Sequence, residues 1–184
     1  MRRSTTLLAL ALLSLGGLPS THSSAQAPSS VAPSAAHLAQ LLSGFEDMPS
    51  DQSLRAMGPA TVGALAALYN DASQPPYVRL RSVAAAGAFH TPAAHTFLRA
   101  VVTLRGQGDL FVREGLLSLG RAFGEAATLE IAPFLERPES VVREAAVISL
   151  GRIHSPRAIA ALRARLDIES DLGVLRKLRA SLNR

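Results

Sequence analysis

One period constrains this chain more than any other feature. Val78-Arg79 leads to Ala86-Gly87, Val112-Arg113 to Leu119-Gly120, and Val142-Arg143 to Leu150-Gly151, so the glycines recur 33 and 31 residues apart. A fourth segment, Val174 to Asn183, matches the start of the unit 32 residues later, and Ser118-Leu119-Gly120-Arg121, Ser149-Leu150-Gly151-Arg152 and Ser181-Leu182-Asn183-Arg184 nearly repeat outright. Seven residues past the three glycines stand Ala94, Ala127 and Ala158; eleven past, Leu98, Ile131 and Leu162; fifteen past, Val102, Leu135 and Leu166. Steps of four mark one face of a helix. A unit of this length cannot bury its apolar face alone, so the copies must stack.

Start and stop signals divide each unit into two helices. Thr91-Pro92 and Ser155-Pro156 each set a capping hydroxyl before a first-turn proline, whose missing N–H the first turn does not use. Asp109, Glu139 or Ser140, and Ser170 or Asp171 are candidate caps for the other class of helix. First helices are predicted near 76–89, 109–122, 140–152 and 171–182, and second helices near 92–104, 125–136 and 156–168. Pro133 falls inside the middle second helix and predicts a kink or shortening there. Upstream, Leu38, Leu41, Leu42 and Phe45 form an apolar stripe, and Gly58-Pro59 opens a helix reaching about Tyr69, with a short piece around Asp51 to Met57. This reads as a degenerate first repeat over 36–70. Repeats near 75–105, 109–137 and 139–168 follow, then a capping helix over 171–183.

Composition agrees with close helix packing. Apolar residues make up 48% of the chain but aromatics only 4%, so Ala and Leu carry the core. Ala combines high helix propensity with a small side chain, whereas strands favour β-branched and aromatic residues. The chain has no cysteine, which excludes disulfides, thiolate catalysis and Cys-ligated metal.

Arg2 and Arg3 precede the apolar run Leu7 to Leu18, and small residues follow at Ser23-Ser24-Ala25. This order predicts a signal peptide over 1–25, with export to the periplasm or the medium, and no membrane span after cleavage. Residues 26–35, rich in Pro, Ser and Ala, read as a flexible leader. Without Arg2 and Arg3 the balance is 17 basic to 14 acidic residues, and Ser149 to Arg184 alone holds 8 basic and 3 acidic. The asymmetry points to an anionic partner for the C-terminal end.

Asp109-x-x-Val112-Arg113 and Glu139-x-x-Val142-Arg143 put an acid at a helix start and an arginine one turn on. These spacings predict a charged rung beside each apolar layer, with Arg79 in the corresponding place upstream. The unit, an acid, Val-Arg, an Ala-rich stretch, Leu-Gly and a Pro-capped helix, resembles the HEAT-like repeat of the phycobilisome-lyase group, over about Gly58 to Arg184. The resemblance implies an all-α fold, a short right-handed α-solenoid of about four stacked antiparallel helix pairs, first helices on the convex side and second helices on the concave side. That group consists mostly of scaffolds and adaptors, with a minority that attach bilin chromophores. Arg79, Gly87, Asp109, Arg113, Gly120, Glu139, Arg143 and Gly151 are its structural marks here.

Catalytic constellations are weak. His90 and His95 flank Thr91-Pro92, a turn that breaks the spacing of a metal pair, and read as a turn histidine and a helix-face histidine. Ser118 and Ser149 lie in no nucleophile elbow. Gly106-Gln107-Gly108 lacks the Lys-Ser/Thr of a phosphate loop. Glu125, Glu130 and Glu136 read as solvated acids on one helix.

The expectation is therefore a non-catalytic scaffold or adaptor of the cell envelope, with no cofactor and no metal, holding a peptide or protein on its concave ridge. That ridge runs through Thr96, Arg99 and Thr103, then Leu129 and Glu136, then Ala160, Arg163 and Asp167. Arg99 and Arg163 share one repeat position and are the foremost contact candidates, with Glu136 beside them. Two other readings stand: a lyase-like or ligand-handling protein, and a binder of polyanions or the envelope surface through Arg176, Lys177 and Arg179. Nucleic acid is not expected, since no aromatics interleave with the arginines. The array is expected as a monomer or weak dimer.

Overall fold

The computed structural model describes residues 33–44 and 48–183. The signal peptide predicted over 1–25, most of the predicted leader and Phe45 of the first stripe lie outside the described residues. The helices are α1 (Ala35–Ser43), α2 (Asp51–Ala56), α3 (Thr61–Asn70), α4 (Pro76–Ala86), α5 (Pro92–Thr103), α6 (Asp109–Phe123), α7 (Thr128–Ile131), α8 (Ser140–Ile153), α9 (Pro156–Leu166) and α10 (Leu172–Leu182). No strand occurs among the described residues. The protein is an all-α, HEAT-like solenoid.

Local chemistry accounts for most of the ends. The Thr91 and Ser155 hydroxyls accept from the backbone N–H of Ala94 and Ala158, with Pro92 and Pro156 directly behind them. Asp171 Oδ1 accepts from Gly173 and Val174 and so caps α10. Asp109 and Glu139, expected as candidate caps, make no capping bond; the residue before α6 is Gly108, whose side chain can offer none. Gly124 at φ 52° and His154 at φ 51° end α6 and α8 in the left-handed region.

The middle second helix departs furthest from its neighbours. Where α5 and α9 are continuous, residues 124–136 divide into a 3-10 turn (Gly124–Ala127), the four-residue α7, and a second 3-10 turn (Ala132–Glu136). Pro133 has no N–H for the carbonyl of Leu129 four residues back, and its ring crowds that carbonyl.

The first helices α4, α6, α8 and α10 pack in sequence against one another, and the second-helix segments attach to this row. The Ser-Leu-Gly motif explains the stacking. A Cβ on Gly120 would lie 2.8 Å from Ser149 Cβ, and one on Gly151 would lie 2.6 Å from Ser181 Cβ; Gly87 meets Ser118 Cβ at 2.9 Å. Each glycine thus receives the serine of the following layer. Ser118 Oγ then donates to the Val83 carbonyl at 3.2 Å, and Ser149 Oγ to the Leu116 carbonyl at 3.0 Å. The apolar steps Leu98, Ile131 and Leu162 are fully buried between the rows.

The predicted charged rungs do not form. Arg113 turns to its neighbour Glu114 at 3.5 Å, and Glu139 pairs with Arg137 at 2.9 Å. Arg143 instead meets Glu169 with two nitrogens, Nε at 2.9 Å and Nη2 at 3.0 Å, while Nη1 donates to the carbonyls of Arg137 and Pro138. Arg165 Nε reaches the same carboxylate at 2.9 Å. A water-excluded, forked carboxylate pair outcompetes an exposed pair one turn away. Arg79 likewise leaves its own helix: Nε donates to the Tyr69 carbonyl at 2.8 Å, and the guanidinium lies 5.3 Å from the Phe111 ring centre.

The N-terminal helices are tied on by arginines. Arg81 Nη1 donates to the Leu42 and Gly44 carbonyls, and Arg55 Nη1 to the Ala88 carbonyl. Leu38, Leu42 and Leu54 are buried in the common core.

Candidate partner-binding surface

Alternation along the second helices decides what they expose. In α5, Ala94, Leu98, Val101 and Val102 point into the core, which leaves Thr96, Arg99 and Thr103 outside. Leu129 and Glu136 are exposed on the interrupted segment, as are Ala160, Arg163 and Asp167 on or just beyond α9. All eight ridge residues named from the sequence therefore lie at the surface.

Only some of them meet. Arg99, Thr103 and Leu129 line one open groove of about 380 Å³ with Val102, Glu130, Pro133 and Phe134. It adjoins a smaller one of about 280 Å³ that reaches Arg137. Arg163 lines neither groove, although it repeats the position of Arg99. Glu136 carries the Arg165 guanidinium at 3.0 Å, so it enters any contact already paired.

Glu130 and His95 correct the sequence reading. Glu130 Oε1 accepts from His95 Nε2 at 2.8 Å, and the imidazole sits edge-on to Phe123 with centroids 4.9 Å apart. This pair joins α5 to the following unit; neither residue is merely solvated. Glu130 Oε2 is buried, has no hydrogen-bond partner, and stands 3.9 Å from Arg99 Nε. Thr128 Oγ1, two residues earlier, is also buried without a partner. The break at Pro133 was legible in the sequence, but the place of Val102 and Phe134 in the groove lining was not, since Val102 reads as a core step and Phe134 falls beside the core step Leu135. Among the described residues no group of three His, Asp or Glu side chains is placed to hold a metal.

The basic candidates lie elsewhere. Arg176, Lys177 and Arg179 are exposed on α10, in the first-helix row. Lys177 Nζ lies 3.7 Å from Glu144 Oε1, beside an open groove of about 470 Å³ between α8 and α10 lined also by Arg176, Gly173 and Ala180. They form a second surface, separate from the groove at Arg99.

Stacked helix pairs joined by glycine–serine contacts, with exposed residues at repeated positions on the second helices, have the architecture of a HEAT-like solenoid. Residues 109–183, from α6 through α10, match the family model for HEAT repeats. No curated protein matches the sequence. HEAT repeats generally serve as non-catalytic scaffolds for protein interaction. No helix among the described residues is long and apolar enough to cross a membrane.

Proposed function

We propose that this protein is a non-catalytic scaffold of the cell envelope that holds a peptide or protein partner on its second-helix face. The observation that carries the reading is the row of exposed side chains at repeated positions, Thr96, Arg99 and Thr103 on α5 and Ala160, Arg163 and Asp167 near α9, set on a rigid buried layer. Exposed groups on a rigid array offer a preorganised surface, which lowers the ordering cost of binding. The signal-peptide pattern of residues 1–25 supports the envelope placement.

The test is capture of partners from an envelope fraction on immobilised protein, read by mass spectrometry. Arg99→Ala combined with Arg163→Ala truncates two exposed side chains, one of them 3.9 Å from Glu130, so an unaltered melting curve is established before affinity is compared. The variant should bind the captured partner at least about tenfold more weakly, or about 1.4 kcal/mol. Equal affinity would reject the reading.

A second reading has its own observation. Arg176 and Arg179 are exposed and form no ion pair among the described residues, next to the α8–α10 groove. An anionic surface bound there would be released between 50 and 300 mM salt (about these values, by Debye screening), whereas a peptide held on apolar contacts would not.

A further inference from the structure

We infer that the outward face of α10 rests on an anionic lipid bilayer, with Arg176 and Arg179 on headgroup phosphates, Lys177 and Arg152 at their flank, and Leu172 at the acyl boundary. This rests on the anionic-surface reading and names the surface.

Charge is the starting point. Ser149 to Arg184 holds 8 basic and 3 acidic residues, and the structure turns two of those acids inward. Glu169 is enclosed by Arg143 and Arg165, and Asp171 Oδ1 accepts from the first N–H groups of α10. Among the described residues of this end, Arg152, Arg157, Arg163, Arg176, Lys177 and Arg179 are exposed, against one exposed acid, Asp167. Glu144 of α8 adds a second acid, 3.7 Å from Lys177 Nζ. The surface is therefore more one-sided in charge than the sequence balance.

The fold gathers four of these cations beside apolar side chains. α10 closes the first-helix row and buries Val174, Leu178 and Ser181 against it. At 3.6 residues per turn, the opposite stripe of α10 carries Leu172, Arg176, Arg179 and Asn183, all exposed. Leu172 is 75% exposed, and Ile168, in the connection leading into α10, is 64% exposed. Lys177 and Arg152 line the α8–α10 groove along one flank of that stripe.

The mixture selects the partner. Leucine among basic side chains on one helix suits the boundary where headgroups meet acyl chains, and a basic cluster on such a helix is drawn to an anionic leaflet. Guanidinium groups match phosphate oxygens with forked donors. An acidic peptide lying in the α8–α10 groove would meet Glu144 there. It would also leave Leu172 and Arg179 unused, since neither lines the groove. A bilayer is broad enough to meet the stripe and its flank together.

The experiment is sedimentation of the full chain with vesicles of phosphatidylcholine, alone or with about one-third phosphatidylglycerol. Residues 1–32 are the same in parent and variants, so differences between proteins report on the exposed cations. The parent should partition at least about tenfold more strongly onto the anionic vesicles. Arg176→Gln combined with Lys177→Gln and Arg179→Gln, checked by an unaltered melting curve, should lose at least about tenfold on them. Arg157→Gln combined with Arg163→Gln, on α9, should lose less than about twofold. The chain has no tryptophan, so Leu172→Trp supplies a single reporter whose emission should shift to the blue on anionic vesicles only. Equal binding of the parent and the α10 variant to anionic vesicles, an equal loss in the α9 variant, or an unshifted Leu172→Trp emission would each overturn the proposal. Should poly-glutamate bind the parent but not the α10 variant while anionic vesicles bind neither, this proposal falls and the anionic-surface reading stands. If the parent binds neither vesicles nor poly-glutamate, both fall.

Discussion

Glu169 gathers two guanidinium groups and two backbone donors on one carboxylate. Its carboxylate is closed off from solvent and is shared by Arg143 and Arg165, with backbone N–H donors from Ser170 and Asp171. Burial alone would push its carboxyl up; the bonds from Arg143, Asp171 and Arg165 outweigh that and bring it down to about 2. Removing one member of a buried ionic cluster leaves the others uncompensated, so Glu169→Ala should cost about 3–5 kcal/mol in urea unfolding at pH 7. A folded value below the ordinary 4.5 means that the contribution is complete above that pH and is lost as pH falls toward 2. The acid limb of the stability profile should therefore be steep in the parent and shallower in Glu169→Ala. Glu114 acts with the opposite sign: burial raises its carboxyl, against the lowering influence of Arg113, Arg121 and Arg152. Its contribution is present below the ordinary range and is lost as pH rises, so Glu114→Gln should gain stability on the parent between about pH 4 and 7. Little of this was legible from residues alone. Val142-Arg143 announced itself as a repeat mark, but its partner lies 26 residues downstream in a loop, where no local spacing points to it.

At the scale of elements, the joints between layers depend on the absence of side chains. Gly120→Ala would place a methyl group 2.8 Å from Ser149 Cβ and 3.3 Å from its Cα. Overpacking of this kind costs about 1–3 kcal/mol, and the better helix propensity of Ala returns no more than about 1 kcal/mol. A net loss of about 1–2 kcal/mol should lower the melting midpoint by a few degrees. Ser155→Ala removes the cap of α9 and should cost about 1 kcal/mol by the same measurement. Caps of this kind were legible because a hydroxyl, a proline and an amide three residues on are neighbours in sequence. The Ser-Leu-Gly repeat was legible as a pattern, while its meaning, serine facing backward and glycine forward, needed the helices side by side. Residues 124–136 kept the buried spacing of Ala127, Ile131 and Leu135 yet did not form a continuous helix, because backbone terms at Gly124 and Pro133 overrode the side-chain pattern.

For the whole molecule, the period was enough to give the stacking, since each layer repeats the contacts of the last. What it could not give was the division of the surface: Arg99 and Arg163 match by position but only Arg99 lines the groove on the second-helix face, and Arg176, Lys177 and Arg179 lie on the other helix row. The C-terminal helix covers the last layer through Val174, Leu178 and Ser181. Truncation after Asp171 should expose the α8–α9 layer, and light scattering should show aggregation together with a lower melting midpoint; unchanged solubility and melting would count against that role.

The unequal joints on the two rows have a mechanical consequence. Serine locks into glycine at successive steps of one row, whereas the other row is interrupted between Gly124 and Glu136. The array is thus a spine with one inextensible side and one compliant gap. Bending should concentrate at that gap, and whatever wedges into it acts as a splint, slowing amide exchange in α5 and α9 alike without touching α9.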